Sequence, residues 1–95
     1  MSPLKLKKLS NLRKKLDYVD NKLLKLLIKR TNVVKQVMSL KEHKNQIVDK
    51  KRIAQILKRI KKKSLKHKLD PNISRRIWKN MIWSYIKFER KNFKK

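Results

Sequence analysis

From Leu9, steps of three and four residues in alternation land on Leu9, Leu12, Leu16, Val19, Leu23, Leu26, Arg30, Val33, Val37 and Leu40. Neither Gly nor Pro interrupts this heptad spacing, which predicts a long helix over about 9–44 that buries one stripe. A polar run, His43-Lys44-Asn45-Gln46, closes it, and two β-branched residues, Ile47 and Val48, follow. Asp49 is a good N-cap for a second helix over about 50–67, with Ile53, Ile56, Leu57, Ile60 and Leu65 on one face. Asp70-Pro71, cap then proline, starts a third helix over about 71–92. Its wide apolar band holds Ile73, Ile77, Trp78, Met81, Ile82, Tyr85, Ile86 and Phe88. Residues 1–8 read as a basic lead-in, with Ser2 as a weak cap and Pro3 near a first turn. No segment alternates like a strand, so the expected fold is all-α: one domain, 1–95, of one long and two medium helices.

Length alone adds a consequence. Roughly 36 helical residues at ~1.5 Å each make a rod of about 55 Å, whereas a compact chain of this size has a radius of gyration of about 12–13 Å. The chain cannot wrap such a rod by itself. A second copy covering the seam, most simply in a twofold and intertwined helical dimer, is the expected arrangement.

Two positions break the apolar pattern. Arg30 places a guanidinium within the aliphatic seam, where it snorkels to water, sets register, or meets an anion. Glu89 is the one acid in the third helix, at the border of its apolar band; pairing with a nearby Lys is the simplest account.

Charge changes the picture less than its size suggests. The chain carries 31 Lys and Arg against six acids, a formal net charge of +25. The excess is mostly Lys spread along every segment, and the aromatics do not interleave with it as stacking platforms would, so solvated faces account for most of it. Non-specific contact with nucleic acid at low salt follows from the charge. There is no cysteine and hence no disulfide framework. No apolar run is long enough to span a membrane and the N-terminus lacks the apolar core of a signal peptide, so a cytoplasmic protein is expected. With no Gly there is no phosphate loop, and His43 and His67 stand alone, so no metal site is expected. An enzyme built from this chain works with cations, a carboxyl group and shape.

The series Leu12-Arg13, Asp20-x-x-Leu23-Leu24-x-Leu26-Leu27-x-x-Arg30, Lys41, Asp49-x-x-Arg52 and Leu69-Asp70-Pro71 resembles the all-helical (AroQ-class) chorismate mutases over about residues 9–90. The resemblance implies an intertwined dimer of three-helix chains that converts chorismate, a small dicarboxylate, to prephenate in aromatic amino acid biosynthesis without a cofactor. It implies that Arg13 of the partner subunit, Arg30 and Arg52 hold the carboxylates. Lys41 and Glu89 would act at the breaking ether oxygen, and Asp49, Tyr85 and Ile86 would lie around the substrate. Spacing agrees: Arg13 and Arg30 are about 25 Å apart along one helix, so only antiparallel pairing of two long helices brings them to one small ligand.

Two residues depart from the family pattern. Ile53 stands where typical mutases carry Glu, and Glu89 where bacterial ones carry Gln. A glutamate helps at the ether oxygen only when protonated. Arg52-Ile53-Ala54 and Ile82-Trp83-Ser84-Tyr85-Ile86 are similar to the isochorismate-pyruvate lyases of the same fold, which make salicylate. Lyase activity is therefore the same-fold alternative. A non-enzymatic basic helical module that binds nucleic acid or a protein partner is the alternative of a different class.

Overall fold

The computed structural model describes residues 1–94. Among them are three α-helices, α1 (Pro3–Leu40), α2 (Lys50–Lys66) and α3 (Pro71–Asn92), with a single 3-10 turn at Lys44–Gln46 between the first two. No strand occurs among the described residues. The chain divides into two compact units, Met1–Val34 and the part from Lys35 onward.

The first unit is helical almost from its start. The segment 1–8, expected as a lead-in, belongs to α1 from Pro3. Ser2 makes this start: its Oγ accepts from the Lys5 N–H at 3.2 Å and its carbonyl from the Leu6 N–H at 2.9 Å. Pro3 follows with its φ already set for a helix and no N–H to strand. Lys22 places its ammonium 4.5 Å from the centre of the Tyr18 ring one turn before it, a modest surface attraction. No residue of α1 is buried. Leu23 is 53% exposed and Leu26 61%, so the seam that the sequence lays out is open in the single chain.

At its other end α1 stops at Leu40, four residues before the expected 44. The cause is Gln46. Its Oε1 accepts from the backbone N–H groups of Glu42 at 2.8 Å and His43 at 2.9 Å, the donors that another helical turn would have used.

The second unit holds a core. Ile47, Ile82 and Ile86 are buried together, and Val48, Ile53, Ile56, Leu57 and Phe93 pack against them. Each buried aliphatic side chain contributes about 1.5–3 kcal/mol relative to exposure. α2 and α3 run antiparallel, with Ile53, Ile56 and Leu57 against the Ile82–Ile86 stripe near one end of the hairpin. Ser64 and Ser74 meet at the other, their hydroxyls 2.6 Å apart and buried. Ser64 Oγ donates to the Ile60 carbonyl at 2.7 Å, Ser74 Oγ reaches the Pro71 carbonyl at 3.3 Å, and the two hydroxyls share a hydrogen bond, which leaves none orphaned where the helices approach.

The turn between them is made without the glycine common at helix ends, since the chain has none. Lys68 takes the left-handed conformation at φ 58°. The Leu69 N–H reaches the Ser64 carbonyl at 2.9 Å and the Lys68 N–H the Leu65 carbonyl at 3.3 Å, the paired bonds of a Schellman ending. α3 then starts as the sequence predicts, with Pro71 in its first turn and the Asp70 carboxylate accepting from the Asn72 N–H at 2.9 Å.

Candidate functional site

Along α3, Ile82, Ile86 and Glu89 follow one another at four and three residues, so they share a stripe that faces the core of the second unit. The stripe therefore ends in a carboxylate. Glu89 is only 6% exposed, and a bare charge at such a place would be costly. Lys41 answers it. As the first residue past α1, it brings its Nζ to 3.0 Å from Glu89 Oε1, across 48 positions of sequence. Burial of one partner makes this more than a surface ion pair, because removal of the lysine would leave the carboxylate desolvated and alone.

Beside Lys41 lies an open groove of about 690 Å³, lined by Val37, Leu40, Lys41, Gln46, Val48, Asp49 and Lys50. This volume is in the range that takes small ligands, about 300–1,000 Å³. Its walls are aliphatic, and the ammonium groups of Lys41 and Lys50 stand against one carboxylate, Asp49. An anion with an apolar body suits that lining. Asp49 is held in place by its own duty as N-cap of α2, with Oδ1 accepting from the Arg52 N–H at 2.9 Å.

The family described as chorismate mutase type II matches residues 12–90. The chain belongs to that family. A curated chorismate mutase of Methanocaldococcus jannaschii is 37% identical over 78 residues, covering 81% of this chain and 79% of that protein. No solved structure matches the chain significantly.

The span shared with the chorismate mutases runs from just before Arg13 to just past Glu89, so every residue expected at the site lies within it. The second unit brings Lys41 to Glu89 and, along the groove, to Asp49. Arg52 is exposed on the first turn of α2. Tyr85 is half-buried one turn before Glu89, and Ile86, expected beside the substrate, packs in the core with Ile47 and Ile82. In the first unit Arg13 is exposed and Arg30 half-buried on the same helix, about 25 Å apart by its rise. One chain thus does not bring those two guanidinium groups together. Ile53, the departure next to Arg52, is turned toward the core cluster.

Sequence reasoning passed over Gln46 and Ile47, which it read only as a boundary. Two apolar residues after a polar run, Ile47 and Val48, were the available signal. A chain that leaves such a loop to solvent rarely needs a buried isoleucine in it.

Proposed function

We propose that this member of the chorismate mutase family converts chorismate to prephenate as a homodimer, with Lys41 and Glu89 at the reacting ether oxygen. The observation that carries the reading is the Lys41–Glu89 pair, 3.0 Å apart and at the end of a buried stripe, in a chain that matches the family from 12 to 90. The reaction is a rearrangement within one molecule and needs no nucleophile. What accelerates it is confinement of a flexible dianion in its folded, reactive form and fixed positive charge where the breaking C–O bond leaves electrons on oxygen. Lys41 supplies that charge. Without ligand its ammonium donates to Glu89, and substrate competes for the same donor.

Glu89 contributes a second hydrogen bond to the ether oxygen only in its protonated form. Arg30 and Arg52 hold the carboxylates, together with Arg13 of the partner subunit. The exposed seam of α1, with Leu23 and Leu26 more than half open, supports the dimer that this last assignment requires, since burying such a stripe is the usual fate of a heptad pattern.

The test gives the purified protein chorismate and isochorismate in separate reactions. Chorismate loss with prephenate formed is the expected result. Salicylate from isochorismate, with chorismate untouched, would replace the mutase reading by the lyase one. Activity on neither would favour a basic binding module. Glu89→Gln keeps an N–H donor at the ether oxygen and retains most of the turnover, whereas Glu89→Ala, which has no donor, loses it. Wild-type turnover in Glu89→Ala would remove Glu89 from the mechanism.

A further inference from the structure

Lys41 is the first residue past α1, and the two amides that follow it no longer bond back into that helix. Its ammonium is 3.0 Å from Glu89, so the turn that carries it must be held to both the end of α1 and the core. Two adjacent residues connect to both. The Gln46 side-chain carbonyl gathers the N–H groups of Glu42 and His43 at 2.8 and 2.9 Å, the two amides that follow Lys41. At the start of this turn the Lys41 N–H still reaches the Met38 carbonyl at 3.1 Å. Next to Gln46, Ile47 is buried against Ile82 and Ile86 of α3, and Ile86 is one turn from Glu89. The dipeptide therefore ties the lysine's turn, through one side chain, to the helix that carries the glutamate, through the next. Gln46 also borders the groove with Lys41 and Asp49.

We propose that Gln46 is a positioning residue for Lys41: its side-chain carbonyl fixes the backbone turn that delivers the ammonium to the site. The proposal rests on the mutase reading for its kinetic consequence, and on geometry for the rest. A 1 Å error in placing a catalytic group can lower a rate by about 100-fold, and loss of the clamp allows an error of that size.

The decisive pair of variants is Gln46→Leu, which keeps the shape and removes the acceptor, and Gln46→Glu, which keeps acceptor oxygens and adds a charge. Gln46→Leu lowers kcat by about tenfold or more, with a far-UV melting curve close to that of wild type, because Gln46 itself is exposed. Gln46→Glu recovers most of kcat and raises KM, since a new negative charge borders a groove that must accept a dianion. A purely structural role would shift the melting curve and would not divide kcat from KM in this way. Wild-type kcat in Gln46→Leu overturns the proposal, as does an equal loss of kcat in both variants.

Amide hydrogen exchange separates failure of the clamp from failure of the mutase reading. If the unmodified chain leaves chorismate intact, the reading of function fails. Slow exchange at Glu42 and His43, accelerated in Gln46→Leu, then still supports the clamp. Exchange at those two amides as fast as in an open peptide in the unmodified chain overturns it, whatever the activity.

Discussion

Leu23 and Ile82 are both aliphatic residues at stripe positions of amphipathic helices, yet Leu23 is 53% exposed and Ile82 6%. The difference follows from their neighbours. Ile82 belongs to the unit from Lys35 onward, where α2 returns along α3 and Ile47 reaches in from the loop. Leu23 belongs to Met1–Val34, where nothing but one helix is present. Propensity and capping suffice to specify either helix. Only in the second unit does the chain itself supply the opposing surface that turns an apolar stripe into stability. The proposed second copy is what would cover the exposed seam of the first unit.

The largest effect should come from blocking the missing cover. Leu23→Glu places a carboxylate in the seam. Analytical ultracentrifugation should then show a monomer where the unmodified chain sediments as a dimer, and turnover should fall by about 100-fold or more, because Arg13 no longer reaches a site. An unmodified chain that sediments as a monomer would instead make exposure the final state of the first unit and remove Arg13 from the active centre. Next in size is a change in the covered stripe. Ile82→Ala should lower stability by about 2–5 kcal/mol in urea titrations, independently of protein concentration at the level of the hairpin. Leu23→Ala should instead act through assembly, with a melting temperature that depends on concentration. Equal, concentration-independent losses in the two variants would erase the distinction between the regions. The smallest effect is at the α2–α3 turn. Lys68→Gly relieves a left-handed residue at φ 58° and should raise stability by about 0.5–1 kcal/mol, offset in part by the freer unfolded chain.

Much of this was legible from residue order. The three helices, the Asp49 and Asp70 caps and the proline start of α3 follow from local chemistry that acts within four residues, and the structure repeats them. The start of α1 is written in Ser2-Pro3, and the lysines that follow are good helix formers, so the basic lead-in is helical from Pro3. Its end was hidden for another reason. Gln46 terminates the helix by reaching back to Glu42 and His43, and a side chain that competes for backbone donors four residues away leaves no mark in hydrophobic periodicity. Ile47, Ser64 and Ser74 are tertiary facts: no hydrophobic pattern marks the two serines, which form the buried contact between helices. At the site, Glu89 stood out because an acid interrupts an apolar band, but the lysine it pairs with, Lys41, is 48 positions away and not a neighbour in sequence. The arginines of the first unit, Arg13 exposed and Arg30 half-buried on one helix, are about 25 Å apart along it, so their expected shared ligand was legible only through the family resemblance.

The most direct test of the central claim, that Lys41 paired with Glu89 is where the chemistry happens, compares kcat/KM on chorismate for the unmodified protein and for Lys41→Ala, with circular dichroism and sedimentation run on the same samples. The account predicts prephenate formation by the former and a loss of about 100-fold or more in a variant that remains helical and dimeric. Turnover in Lys41→Ala equal to that of the unmodified protein would contradict it.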